Sequence, residues 1–225
     1  MKTEKHRTPY IPALRFHRLT PLYDPLLRWM LRESVFKRHL VAQARIDSGH
    51  RVLDLGCGTG TLTVLIKRSH PGAEVSGLDG DAKVLEVAEA KAAKAGLKVT
   101  FVHGMAFDLP YADNSFDRIL SSLLFHHLTR ENKVRALREV FRVLRPSGQL
   151  HVADWGRPQN GLMRGAFLLV QMLDGFRTTA DNVAGMLPDL IREAGFVDAE
   201  QRTRYGTVFG TLALYQAKKS EPEFL

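Results

Sequence analysis

The chain has 225 residues, 44% of them hydrophobic, with a formal net charge of +8 and one cysteine. This composition suits a single domain with a sizeable core, excludes an internal disulfide, and contains no apolar run near the ~18 residues of a membrane span. The opening decapeptide, MKTEKHRTPY, lacks an apolar signal core, so a cytoplasmic protein is the expectation.

Residues 1–51 hold eleven Lys/Arg against four Asp/Glu, which puts nearly all of the net charge in this segment. Leu22, Leu26, Leu27, Met30 and Leu31 recur there at helical spacing, beside Trp29 and Phe36. Arg28, Arg32, Lys37, Arg38 and Arg45 add positive charge. Such a basic amphipathic stretch reads as a helical lid over a ligand, and it also suits peripheral contact with an anionic membrane. The expected division is a lid over 1–50, the main domain over 51–219 and a frayed tail over 220–225.

After residue 50 the pattern alternates. Strands are predicted over Arg51–Leu55, Glu74–Leu78, Val99–His103, Arg118–Ser122 and Gln149–Ala153. Helices are predicted over Thr61–Ser69, Lys83–Ala95, which closes at Gly96, and Lys133–Leu144. This order implies an α/β domain with a parallel sheet covered by helices on both faces. Pro188–Ala194 is a further helix closing at Gly195. Val197–Thr203 and Thr207–Ala217 are two strands suited to an antiparallel hairpin through a turn containing Gly206.

The stretch VLDLGCGTGTL at residues 52–62 carries the chemistry. A buried strand runs into Gly56, Gly58 and Gly60 at alternate positions, a turn that lets a ligand approach backbone N–H groups at a helix N-terminus. Asp54 precedes the turn, and Asp79 ends the second strand, where an acid can accept hydrogen bonds from ribose hydroxyls. Thr61 stands where a dinucleotide site wants its third glycine, which argues against a nicotinamide oxidoreductase and for another nucleoside cofactor. Cys57 reads as a small packing residue of the turn.

With these motifs the chain resembles the class I S-adenosylmethionine-dependent methyltransferases from about Arg51 to Leu150. The matching segments are VLDLGCGTGTLT, VSGLDGDAKVLEVAEAKA, FVHGMAFDLPYADNSFDRILSSLLFHHL and ALREVFRVLRPSGQLHVADWG. Within that class it is most similar to the ubiquinone/menaquinone-biosynthesis group, to which FHRLTPLYDPL also compares. The resemblance implies a Rossmann-like, doubly wound seven-stranded sheet with the last strand antiparallel, plus N-terminal lid helices. It implies S-adenosylmethionine as cofactor. Asp54, Gly56, Gly58 and Thr59 would hold its methionine end, Asp79 its ribose, and Gly80, Met105 and Ala106 its adenine. Ser122 would lie beside it and Tyr23 would reach it from the lid. The family usually has Asp or Asn where Met105 stands, so a side-chain hydrogen bond to the adenine is missing there.

His126 and His127 follow the fourth strand, where the family's substrate pocket opens. They read either as a helix-start pair, one facing in and one out, or as candidates for a general base. His151 reads as structural, and Asp154 either touches substrate or caps the following loop. No metal is expected. Ser121-Ser122-Leu123-Leu124 replaces the proline-containing run of base methyltransferases, so nucleic acid is not the expected partner. Leu123-Leu124-Phe125 and the apolar segment 160–187 suggest a small apolar, lipid-like or quinone-like acceptor, with that segment either a core helix or a pocket cover. The alternatives are an acceptor that is a soluble small molecule, and a cofactor-binding protein without turnover. The oligomeric state is left open.

Overall fold

The computed structural model describes residues 33–221. Tyr23, the apolar stripe of residues 22–31 and the last four residues lie outside that range. Helix α1 spans Glu33–Gln43 and strand β1 spans Arg51–Leu55. Then come α2 (Thr61–Ser69), β2 (Glu74–Asp79), α3 (Ala82–Lys94) and β3 (Thr100–His103). Next are β4 (Phe116–Ser122), a 3₁₀ turn at Phe125–His127, α4 (Arg130–Val143) and β5 (Leu144–Trp155). An insertion of α5 (Gly161–Asp174) and α6 (Phe176–Ala184) precedes α7 (Leu187–Glu193). The hairpin β6 (Val197–Thr207) and β7 (Gly210–Lys218) closes the domain.

The seven strands form one sheet in the order β3-β2-β1-β4-β5-β7-β6. β1 to β5 are parallel, and β7 lies antiparallel between β5 and β6. The chain winds outward from β1 in both directions, so the strand order reverses between β1 and β4. A crevice opens at the carboxyl ends of that pair.

Alternation along β1 builds both faces of the sheet. Leu53 and Leu55 join Ile119, Leu137, Val140, Leu190 and Ile191 in a core on one side. Val52 joins Phe36, Leu40, Leu62, Ile66 and Leu120 on the other. Thus α1 packs onto the sheet through Phe36, Leu40 and Val41, all buried. Helix α3 begins where the Asp81 carboxylate accepts from the Lys83 N–H (2.9 Å). It ends in a Schellman motif, with the Leu97 N–H on the Ala92 carbonyl and the Gly96 N–H on Ala93 (both 3.0 Å).

The hairpin turn differs from expectation. Gly206 pairs with Thr211 inside the ladder, and the chain reverses at Val208 and Phe209. A Cβ on Gly206 would stand 3.0 Å from the Met163 methyl of α5. That glycine therefore serves a close approach of helix to strand and makes no turn. β5 also begins earlier than expected, at Leu144, although its ladder to β7 starts only at Gln149, beyond Pro146 and Gly148.

Candidate active site

The glycine turn leaves β1 with Gly56, Gly58 and Gly60 at φ of 70°, 51° and 71°, a left-handed region that suits glycine. Three different constraints act on the three positions. A Cβ on Gly56 would meet the Leu124 side chain at 2.8 Å, and one on Gly60 would meet the Ala88 Cβ at 2.8 Å. A Cβ on Gly58 would meet nothing within 4 Å. Gly56 and Gly60 are thus crowded by protein, whereas Gly58 borders open space. Lys91 of α3 donates to the hydroxyls of Thr59 (3.1 Å) and Thr61 (2.9 Å), tying the turn to the next helix.

Asp54 is buried, and one of its oxygens accepts from the Thr63 hydroxyl at 2.6 Å. The other, Oδ1, is buried with no partner among the described residues. Burial raises its pKa to about 6, against the lowering effect of the Thr63 hydrogen bond. An oxygen buried without a donor is costly, and a cationic group arriving beside it would relieve that cost. Asp79 ends β2 and accepts from the Gly58 N–H (2.8 Å) and the Asp81 N–H (3.0 Å). Burial raises its pKa as well. The Gly80 carbonyl accepts from His103 at 3.0 Å.

Met105 is half-buried and bridges to Asp108, and Ala106 is buried at 8% exposure. Ser122 ends β4 with its Oγ buried and without a partner among the described residues. These residues, with Asp54, Gly56, Gly58, Thr59, Asp79 and Gly80, lie at or just beyond the carboxyl ends of β1–β4. Cys57 is buried, its thiol pushed up by burial, in keeping with a packing role. Leu123, just past β4, is held at φ 59° while its N–H donates to the Ala153 carbonyl at 2.8 Å. A leucine in that region is strained, and such strain concentrates beside functional sites.

The histidine pair follows. His126 is buried and His127 is partly exposed, one in and one out. His126 Nδ1 lies 2.8 Å from Asp154 Oδ1, and its Nε2 lies 3.6 Å from Asp174 Oδ2. Burial works against the charged imidazole, but Asp154 and then Asp174 outweigh it and raise the pKa. Burial and the neighbouring His126 push His127 down to about 3. Asp154 is fully buried and also accepts from the N–H groups of Phe125 and Trp155 (both 2.7 Å) and from Asn182 (3.3 Å). It is thus the anchor that fixes the 3₁₀ turn to β5 and to α6. His151 is buried on the other side of the sheet, bonded to Gln43 at 3.1 Å, as a structural residue.

Two features escaped the sequence. Asp174, at the end of α5, reaches both histidines, with 3.9 Å to His127 Nδ1. Lys133 of α4 is fully buried and donates to the Thr178 carbonyl (2.5 Å) and Asp181 (3.2 Å) of α6. Both attach the α5–α6 insertion over the histidine pair. Phe167 and Val170 of α5 bury against Trp155, whereas Leu162, Leu169, Met172, Leu173 and Phe176 face outward. The insertion therefore covers the turn after β4 and presents an apolar outer face. No described helix is long and apolar enough to cross a membrane.

A family model described as a methyltransferase domain matches residues 52–148. A Synechocystis protein named as an uncharacterized methyltransferase, sll0829, is 32% identical over 84% of this chain and 85% of its own length. The ubiquinone/menaquinone biosynthesis C-methyltransferase UbiE of Pasteurella multocida is 30% identical over 97% of this chain and 87% of its own. Among solved structures, the S-adenosylmethionine-dependent methyltransferase SibL superposes with a TM-score of 0.68 at 26% identity, covering 87% of this chain and 58% of that one. The seven-stranded order with its antiparallel β7, the glycine turn after β1 and these similarities agree: the chain belongs to the class I S-adenosylmethionine-dependent methyltransferases and is an enzyme most similar to their ubiquinone/menaquinone-biosynthesis group.

Proposed function

We propose that this enzyme transfers the methyl group of S-adenosylmethionine to a small apolar, quinone-like acceptor. The observation that carries the cofactor half is the pairing of open space over Gly58 with the orphaned Asp54 Oδ1 beneath the same turn. The amino group of the cofactor's methionine end fits that oxygen. Asp79 is the proposed ribose acceptor, Gly56 and Thr59 line the methionine end, and Gly80, Met105 and Ala106 border the adenine. Ser122, at the end of β4, is the proposed neighbour of the bound cofactor, and Tyr23, outside the described residues, is the proposed contact from the lid.

When bound, S-adenosylmethionine supplies a methyl group on a sulfonium sulfur, open to in-line attack. The residues need only align the attacking atom at ~3–3.5 Å and exclude water. The α5–α6 insertion suits both tasks, since it covers the turn that carries the histidines. A carbon acceptor must shed a proton, and an oxygen acceptor must lose one before or during attack. The catalytic candidates for this are His126 and His127, in the cluster completed by Asp154 and Asp174. The apolar acceptor is supported by Leu123, Leu124 and the apolar insertion, and by relatives named for menaquinone and ubiquinone biosynthesis. The outward apolar face of α5 suits peripheral contact with a membrane holding such an acceptor.

The test is formation of S-adenosylhomocysteine from the full chain, under reducing conditions, with a panel of demethylated quinols and soluble phenols. Turnover with the quinols and not the phenols is expected. Turnover confined to soluble phenols removes the lipid-like acceptor, and binding of cofactor without any turnover favours a cofactor-binding protein.

Two results bear on the cofactor alone. Asp79→Ala should weaken S-adenosylhomocysteine binding by about 1–3 kcal/mol, the worth of charge-assisted hydrogen bonds, as read by calorimetry. Equal binding would mean that Asp79 is misassigned. The affinity should also depend on pH through Asp54. Its folded pKa of about 6 lies above its unfolded value, so the protonated form accumulates below pH 6. The ammonium favours the ionised form. Affinity should therefore fall roughly ten-fold per pH unit below about 6 and level off above it. Asp54→Asn should bind weakly with no such slope; a slope that survives in the variant belongs to another group.

A further inference from the structure

We infer that His126, His127 and Asp174 form a binding site for one divalent first-row transition-metal ion. One ligand atom from each residue lies within 4.8 Å of the other two. His126 Nε2 and Asp174 Oδ2 are 3.6 Å apart, and His127 Nδ1 and Asp174 Oδ1 are 3.9 Å apart. A four-coordinate ion at about 2.0–2.2 Å from nitrogen and oxygen holds its ligands about 3.4 Å apart, close to these two spacings.

The second sphere is already built. A metal-bound histidine normally donates its other ring N–H to a carboxylate or carbonyl, which fixes the tautomer and turns the free lone pair toward the ion. His126 has that arrangement. Its Nδ1 donates to Asp154, and its Nε2 is the nitrogen that faces Asp174. Asp154 is itself held by the N–H groups of Phe125 and Trp155 and by Asn182. The imidazole therefore cannot turn over without breaking a buried network.

Two carboxylates, Asp154 and Asp174, face the histidines, and Lys133 and Arg130 pair with Asp181 behind them. Two imidazoles and one carboxylate suit zinc, iron, cobalt or nickel better than calcium or magnesium, which prefer all-oxygen shells. Three protein ligands leave at least one coordination position, and the side chains of His127 and Asp174 are 28% and 24% exposed. Water or an oxygen of the acceptor can enter on that side. Resting on the function proposed above, the open position takes a quinol hydroxyl, and the ion lowers its pKa in place of a free imidazole.

The site joins residues from the 3₁₀ turn after β4 to one at the end of α5. Their spacing in the chain matches no metal motif, which is why the sequence led to the opposite expectation.

Cobalt(II) tests this directly. Tag-free full-length protein, stripped with chelator and dialysed, is titrated with cobalt chloride and followed in the visible. One equivalent should bind with the intense d–d bands of a low-coordinate site, and zinc should displace it. His127→Ala and Asp174→Ala, both at part-exposed positions, should lose stoichiometric binding while S-adenosylhomocysteine affinity and near-UV dichroism persist. No saturable binding by the wild type, or binding retained by both variants, overturns the site. Methyl transfer to quinols is scored separately. Saturable cobalt without turnover keeps the metal site and removes the acceptor, and turnover without any bound metal does the reverse.

Discussion

Gly58→Val is expected to abolish S-adenosylhomocysteine binding while the domain still folds. The position is at φ 51°, where a side chain costs ~1–2 kcal/mol and a β-branched one more. A domain with ~5–15 kcal/mol of stability survives that loss. Apart from its chain neighbours, no atom of the described residues lies within 4 Å of a Cβ built there, so the branched side chain would project into open space. On the function proposed above, the space that would be filled is the cofactor's. Gly60→Val makes the contrast. Its Cβ would meet Ala88 at 2.8 Å, so the damage falls on the contact between the turn and α3. The two variants should separate in paired measurements. Calorimetry should give no heat of binding for Gly58→Val, with a melting temperature lowered by several degrees; Gly60→Val should lose much more of its thermal stability. Normal affinity in Gly58→Val would mean that the cofactor does not run over this backbone.

Much of that site was legible in the sequence because its signals are local. The glycine turn, Asp54 and Asp79 sit at strand ends, and strand ends are readable from hydrophobic runs broken by glycine. The seven strands with the last one antiparallel followed from the resemblance, and the alternation of strands and helices required a covered parallel sheet. Other features depend on distant partners. Asp174 looks like an ordinary acid at a helix end until the insertion folds back over β4. Lys133 lies in a strongly amphipathic helix and reads as solvent-facing, yet it is fully buried against Thr178 and Asp181. Gly206 reads as a turn because glycine usually marks one, yet it lies inside the ladder, where a Cβ would meet the Met163 methyl. Residues 160–187 read as a core helix or a pocket cover; α5 buries Phe167 and Val170 on one side and exposes Leu162 and Met172 on the other. Asp154 reads as touching substrate or capping the loop that follows it, but it holds the 3₁₀ turn after β4 and with it His126.

Asp154→Ala is expected to be among the most damaging single substitutions in the chain. The carboxylate is fully buried and accepts from two backbone N–H groups at 2.7 Å and from the His126 ring at 2.8 Å. Burial opposes its charge, yet His126 first and then the Trp155 N–H hold its pKa below the usual carboxylate range. Removing it strands the imidazole and both N–H groups without acceptors, at a cost of about 3–5 kcal/mol for breaking a buried pair from one side. The urea midpoint should fall accordingly with little change in slope. Asp154→Asn keeps the volume and one acceptor oxygen, so it should cost less in stability. Its amide cannot offset a positive charge at His126, and transfer should fall well below wild type. The glycine turn lies beyond this network, and cofactor binding should survive in the Asn variant. The source of the cost can be isolated by adding His126→Phe. If the stranded imidazole dominates, the double variant is clearly more stable than the sum of the two single losses predicts. Strict additivity would assign the cost to the backbone N–H groups, and a loss under about 1 kcal/mol in Asp154→Ala would deny the carboxylate its place as anchor of the site.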